Sequence, residues 1–346
     1  MTAFKFIFRL GFLFACYFNS GLFIGGNTLF AQTTAGNASF NFLSLPYSAK
    51  ATSLGGLNIS SMGSDLGLAM YTPSLLTNEM NGQLYVGVKP YFAGIQQYDV
   101  FGVKQWEKKN ITTGWGVHFL DYGTIPMTDM AGNELGTMRP NDYMIQFSAA
   151  TKYIENFRIG SALKFIKSNY GMYKSSGLAM DIGLTYASPN HLSQASILVK
   201  NVGTQLSSSG TKQELPFNLI LGWSKKLALA PIQFSVTADR LSVWNRSYFD
   251  PQYADAFGIN PASSLQNLFN HLTLGTELYI GEQVDLNLGY HFIRRYDLNV
   301  YNQSNGLNGF SAGLGLKMDK LRIQYGNSFF QSNLYHHFSL TYPFIK

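Results

Sequence analysis

From Gln83 onward the chain alternates between apolar and polar positions. Leu84, Val86 and Val88 fall on one face of an extended segment, and Gln83, Tyr85, Gly87 and Lys89 on the other. Ile232, Phe234, Val236 and Ala238 stand against Gln233, Ser235, Thr237 and Asp239 in the same way. So do Leu272, Leu274, Leu278 and Ile280 against His271, Thr273 and Glu277. The pattern returns at Leu286, Leu288, Tyr290 and Phe292 against Asp285, Asn287 and His291, and at Phe310, Ala312, Leu314 and Leu316 against Ser311, Gly313 and Lys317. Successive side chains of a strand point to opposite faces, so each segment has one greasy and one polar side. The period predicts about fourteen strands, near 82–92, 98–107, 111–121, 142–152, 156–168, 175–187, 193–203, 215–226, 231–243, 270–280, 283–295, 308–318, 320–330 and 335–344. Most approach the roughly 9–11 residues with which a tilted strand crosses a bilayer.

The connections sort by parity. Those after even-numbered strands are short: 107–110, 153–155, 188–192, 226–230, 281–283 and 318–320. The long ones, 122–141, 204–214, 244–269 and 296–307, all follow odd-numbered strands. Short periplasmic turns and long external loops are the habit of an outer-membrane barrel, and a soluble sandwich has no reason to sort its loops this way.

Composition agrees. Charged residues are 13% of the 346, aromatics 15%, and the net charge is +6. The charged share is about half that of soluble domains. After residue 31 no apolar run reaches the roughly 18 residues of a spanning helix. Basic residues are scattered, which gives no nucleic-acid footprint and no polybasic lipid site. Residues 1–31 read as a signal peptide, with Lys5 and Arg9, an apolar stretch, and Leu29-Phe30-Ala31 before Gln32. The one cysteine, Cys16, lies within it, so the mature chain is expected to have no disulfide and no thiol chemistry.

The polar faces are expected to line a lumen. They carry Arg158, Lys164, Asp181, Asp239, Glu277, Asp285, His291 and Arg322, and opposite charges there can pair across the inside. His336 and His337 point to opposite faces of one strand and cannot chelate one metal together. No GxSxG, HExxH or phosphate-loop pattern occurs. No catalytic residue, metal or cofactor is assigned. Ser207-Ser208-Ser209-Gly210 reads as a loop tip. The 244–269 loop holds Trp244, Tyr248, Phe249, Tyr253 and Phe257, and the 122–141 loop holds Met127 and Met130. These are candidate partner contacts, because aromatic side chains concentrate at interface hot spots.

One stretch does not alternate. Phe40–Leu76 is apolar, glycine-rich and nearly free of charge, with only Lys50 and Asp65. It is expected to plug the lumen, entering from the periplasmic side, with residues 32–80 as an N-terminal hatch and 81–346 as the barrel. Its run Ser48-Ala49-Lys50-Ala51-Thr52-Ser53-Leu54-Gly55-Gly56, then Asp65, then Tyr71-Thr72-Pro73-Ser74-Leu75-Leu76, resembles the hatch of the FadL-type outer-membrane proteins. Phe42 to Pro46 and the Ser-Leu-Leu ending resemble most closely the PorV/PorQ branch of that family, which serves the type IX secretion system. Tyr71, Thr72, Pro73 and Ser74 form the hatch turn; Thr72-Pro73-Ser74 stands where the family has an Asn-Pro-Ala-like turn, which removes a capping Asn.

The resemblance implies an all-β fold, a 14-stranded antiparallel transmembrane barrel with its hatch inside the lumen. It implies a Bacteroidota-type outer membrane, outer-membrane lipid around the wall, and both termini in the periplasm. It implies a non-enzymatic anchor in the attachment complex, holding a PorZ-like surface protein beside PorU and PorV. The alternative is a FadL-like transporter of hydrophobic small molecules. A tightly packed, charge-lined lumen counts against that alternative.

Overall fold

The computed structural model describes residues 38–244, 263–298, 306–331 and 333–344. The signal segment and Tyr248, Phe249, Tyr253 and Phe257 lie outside the described residues.

The alternating segments form sixteen strands: β1 (Gln83–Pro90), β2 (Gln96–Trp106), β3 (Ile111–Asp121), β4 (Ile125–Thr128), β5 (Glu134–Met138), β6 (Asn141–Ile154), β7 (Phe157–Tyr170), β8 (Tyr173–Ala187), β9 (Ser193–Ser208), β10 (Asn218–Lys226), β11 (Ile232–Ala238), β12 (Leu272–Ile280), β13 (Val284–His291), β14 (Phe310–Lys317), β15 (Arg322–Phe330) and β16 (Asn333–Pro343). Fourteen of them close into an antiparallel barrel in sequence order, with β4 and β5 left out. Closure comes from β1 against β16, in register from Gln83↔Pro343 to Val88↔Phe338. Closing the sheet removes both edges, so no row of backbone donors faces lipid.

The period of two sets the two surfaces. Trp115, Phe147, Leu163, Leu184 and Ile197, from five neighbouring strands, are all exposed on the outside. In water such a belt would be an aggregation surface; against hydrocarbon it is the expected one. Among the described residues no helix is long and apolar enough to cross a membrane. The apolar core sits inside the barrel instead. Leu43, Tyr47, Ile59, Leu68 and Met70 of the N-terminal segment pack there with inward-facing Tyr85, Phe101, Met144, Ile166 and Ile220.

Wall height is uneven. The adjacent strands β8 and β9 have 15 and 16 residues, whereas β11 has 7 and β13 has 8. The register breaks between Met180 and Ile182 of β8, where Asp181 is passed over. Asp181 Oδ1 fills the gap by accepting from Asn201 N at 2.8 Å, and Asn201 takes φ 58°.

Several expected boundaries move. The strand placed over 283–295 ends at His291, and Phe292–Asp297 is a helix. Adjacent strand residues point to opposite faces, so Phe292-Ile293 and Arg294-Arg295 would put apolar and charged side chains on both faces and the alternation fails there. The strand placed over 231–243 stops at Ala238, before Arg240 at φ 53°. Ser207 and Ser208 belong to β9 and pair with Ser176 and Ser175, not to a loop tip. The 122–141 loop contains the hairpin β4–β5, turned by Asp129, whose Oδ1 accepts from Ala131 N at 2.9 Å and Asn133 N at 2.8 Å.

The described N-terminal segment runs between the two ends of the barrel. Ala38 bridges to Glu214, between β9 and β10 at the long-loop end, and Ser39 N donates to Glu214 O at 2.9 Å. The segment then descends and leaves at the short-turn end, where Gly82 N donates to Val103 O at 3.0 Å. The described part of the segment therefore runs from the long-loop end to the short-turn end. Phe344 N donates to Gly82 O at 2.6 Å, which holds the last strand at that short-turn end.

Candidate functional site: the filled lumen

The N-terminal segment is built from short capped pieces. Ser48 Oγ accepts from Ala51 N at 3.0 Å and starts α1 (Ala49–Ser53). Such caps satisfy amides that the first turn leaves without partners. Leu54-Gly55-Gly56 ends that helix: Gly55 and Gly56 have φ 93° and 95°, which side chains rarely adopt. Asp65 starts α2 (Leu66–Tyr71); its Oδ1 accepts from Leu68 N and its Oδ2 from Gln324 Nε2 of β15, each at 2.9 Å. One carboxylate thus both caps a helix and ties it to the wall. Pro73 then opens a 3-10 turn, Pro73–Leu75. Ser74 Oγ bonds Thr185 Oγ1 at 2.8 Å, while the buried Thr72 Oγ1 has no hydrogen-bond partner among the described residues.

The segment meets the wall on many sides. Lys50 Nζ lies 2.7 Å from Glu277 Oε2 of β12, both side chains almost wholly buried. Burial alone would drag the Lys50 pKa down; the Glu277 carboxylate outweighs it and holds the ammonium above its ordinary range. Glu277 Oε1 also accepts from Ser61 Oγ and from Gln233 Nε2, each at 2.6 Å. Thr52 Oγ1 bonds His337 Nδ1 of β16 at 2.9 Å, and Ser60 Oγ bonds Ser224 Oγ of β10 at 2.9 Å. Gln146 of β6 donates to Met70 O and Gln97 of β2 to Pro46 O, both at 2.8 Å. Lys200 Nζ of β9 sits buried 3.1 Å from the centre of the Tyr71 ring.

Close approach depends on glycines of the wall as much as on those of the segment. A Cβ at Gly326 would stand 2.1 Å from Ala49 O, at Gly289 2.1 Å from Gly55 N, and at Gly160 2.5 Å from Pro73 O. These inward glycines were passed over in the sequence. Their signal is a Gly at a polar-face position of a strand, where nothing in the strand itself calls for one.

The lumen-facing candidates divide into groups. Lys164 pairs with Asp181, and Lys164 Nζ also donates to Asn201 Oδ1 at 3.1 Å. Arg322 Nη2 lies 3.1 Å from Asp285 Oδ1, and Asn287 Nδ2 donates to Asp285 Oδ2 at 2.8 Å. Glu277 belongs to Lys50 and Asp285 to Arg322, so the two carboxylates do not form an acid–base pair. Asp239 is buried just after β11, and His291 and Arg158 are half-buried. A further cluster was missed: His118 Nδ1 lies 2.5 Å from Asp99 Oδ1, and Asp99 Oδ2 accepts from Gln97 Nε2 at 2.7 Å. Of the loop candidates, Met130 and Trp244 are exposed and Met127 is half-buried on the hairpin.

No family model matches the chain, and no curated protein does. The narrower resemblance to the PorV/PorQ branch therefore has no support from sequence comparison. Solved structures do share the fold. The CymD monoaromatic hydrocarbon channel superposes with a TM-score of 0.53 and 14% identity, over 89% of this chain and 100% of its own. The Pseudomonas putida toluene transporter TodX gives 0.50 and 11%, over 86% and 96%. A Pseudomonas aeruginosa FadL homologue gives 0.48 and 10%, over 86% and 98%. At such identities the likeness to CymD and TodX is one of fold, the closed barrel.

Proposed function

We propose, from a wall shared with outer-membrane channels, that this protein is a non-enzymatic, gated barrel for small hydrophobic molecules, in which residues 38–80 are the hatch. The carrying observation is how the segment is held. It fills the lumen from the long-loop end to the short-turn end, yet the barrel ladder closes through β1 and β16 without it. Apart from the backbone bonds at Ala38 and Ser39, its links to the wall named above run through side chains, such as Lys50–Glu277, Thr52–His337 and Ser60–Ser224, which can be undone one by one while the ladder stays whole. The charged, packed lumen argues against a permanently open pore and for one closed at rest. The FadL-like neighbours named for monoaromatic hydrocarbons and toluene support hydrophobic passengers.

A cysteine pair tests the gate. Ser60→Cys with Ser224→Cys joins hatch to wall at oxygens now 2.9 Å apart, and the only native cysteine is Cys16. Oxidised protein in liposomes is expected to lose uptake of toluene or a fluorescent naphthylamine, and reduction to restore it. Equal uptake by the oxidised and reduced forms would remove the gating role.

A second reading is an anchor for a surface protein of the PorZ kind, beside PorU- and PorV-like partners. One observation favours it: the hairpin β4–β5 stands at the long-loop end with Met130 and Leu135 exposed. Deleting residues 125–138 should then shed a surface protein into the medium and leave uptake unchanged.

A further inference from the structure

The outer face of the barrel carries a groove of about 420 Å³ across β3, β6, β7 and β8. That is a small-molecule volume. We propose that it binds one anionic glycerophospholipid, with an acyl chain in the groove and the headgroup phosphate at Lys104. The proposal rests on the membrane-spanning wall and not on the gating reading.

Strand register builds the groove. One row of outward positions is small: Thr113 pairs with Ala149, and Ala149 with Ser161. The next row, away from the short turns, is large: Trp115 pairs with Phe147, Phe147 with Leu163, and Leu163 with Met180. Both rows line the groove. The step from small to large side chains on one face leaves a shelf. The Trp115 ring is drawn off to one side of it. A Cβ at Gly102 of β2 would stand 2.6 Å from Trp115 Cζ2, so the ring lies over residue 102, where a missing side chain makes the room. The Thr113 hydroxyl is engaged within the wall. It accepts from Trp106 Nε1 at 2.9 Å and donates to Lys104 O at 3.1 Å.

Charge and depth select the ligand. Lys104 pairs with Thr113 on the same outward face, one strand beyond the groove, and side chains so paired are about 5 Å apart at Cβ. It is exposed and makes no ion pair among the described residues. The turn that follows sets Lys108 and Lys109 against Glu107 alone. Thr113 is two residues from the start of β3, and Ser161 four from the start of β7. At about 3.4 Å per residue and a tilt of about 40°, the small row lies within roughly 10 Å of the short-turn end. In an outer-membrane barrel that is the depth of the periplasmic headgroups and the first carbons of their chains. A hydrocarbon solute would leave Lys104 without a counter-charge, and a soluble anion would leave the groove unfilled. A second copy of the chain is disfavoured, because a two-fold contact sets the same patch against itself and brings like lysines together. An anionic phospholipid matches both the groove and the lysine. The sequence has no polybasic run; the fold brings a single lysine to an apolar shelf instead.

Brominated lipids test the site. Trp223→Phe with Trp244→Phe leaves Trp106 and Trp115 of the four tryptophans. The full barrel is reconstituted in nanodiscs of unlabelled phosphatidylcholine, and phosphatidylglycerol or phosphatidylcholine with brominated chains is titrated in. Bromine quenches tryptophan fluorescence on contact. Phosphatidylglycerol is expected to reach half of its full quenching at a several-fold lower mole fraction than phosphatidylcholine. Lys104→Gln should lower that preference about fivefold, the usual contribution of one interfacial lysine. Ala149→Leu, which fills the small row, should lower it to a similar extent. Both substitutions face lipid, so each variant should keep the heat-modifiable gel mobility of a folded barrel. Equal quenching by the two lipids, or a preference that either variant leaves undiminished, overturns the proposal. A second copy seated on the groove would shield it from both lipids alike, which is the same refuting result.

Discussion

Replacing Lys50 by Met weighs how firmly the proposed hatch is seated. The Lys50 and Glu277 side chains are 2% and 0% exposed and their charged atoms are 2.7 Å apart. Removing one member of a buried pair costs about 3–5 kcal/mol, because the other charge is stranded. Glu277 is not wholly stranded, since Ser61, Gln233 and Tyr279 still donate to it at 2.6, 2.6 and 2.9 Å. The low end, about 3 kcal/mol, is therefore expected. At 1.36 kcal/mol per decade this is roughly a hundredfold gain in the open population. The cost should fall on the hatch alone, because residue 50 takes no part in the barrel ladder. Planar-bilayer recording should show openings roughly a hundredfold more often than wild type. Gel mobility before and after heating should match wild type. Glu277→Gln added to Lys50→Met should recover part of the closure, because a neutral amide leaves no stranded charge. If Lys50→Met opens no more often than wild type, or the barrel unfolds with it, the idea of a separately seated hatch is wrong.

Other perturbations follow from the same geometry. Gly326→Val puts side-chain atoms where Ala49 O now lies, so it should dislodge the hatch and raise small-solute permeability while the strand still forms; unchanged permeability counts against the packing described. Deleting residues 38–76 should give a folded barrel with a large permeability rise, and a tight barrel after that deletion would overturn the sealing role. The Lys50 contribution to closure should be flat between about pH 6 and 9: a lysine pKa raised by folding gives stability that is complete below the unfolded value of about 10.4 and fades only as pH climbs through the folded value. A loss of closure within that window would show that Lys50 is not the group in charge.

The wall was legible in the sequence because lipid outside and a polar interior inside enforce one period over the whole barrel. Trp115 outward and His118 inward are read from that period alone. The breaks were legible only in part. Phe292-Ile293 continues an apolar run, and the turn into a helix is decided by packing at the mouth, where Arg294 Nη2 donates to Gly55 O at 3.1 Å. The hairpin had a local sign, Asp129 with Gly132 at φ 87°, which was read only as loop. Partner choice inside the lumen was not legible. Alternation says that Glu277 points inward, and nothing near it in sequence says that Lys50 will meet it. The direction of the N-terminal segment was equally silent, since Ala38 reaches Glu214 through backbone bonds that any side chains would allow.

The uneven wall gives the molecule a bearing within the membrane plane. Sixteen residues in β9 against seven in β11 amount to roughly 30 Å of strand at about 3.4 Å per residue, and roughly 20 Å of height once the strands tilt. A neighbour drifting in from the tall side meets a palisade. One drifting in from the low side meets β11, β12 and β13, of 7, 9 and 8 residues. Lateral encounters are thereby sorted by compass direction before any side chain is read, and a partner that grips the low side leaves the rim above β8 and β9 open to the outside.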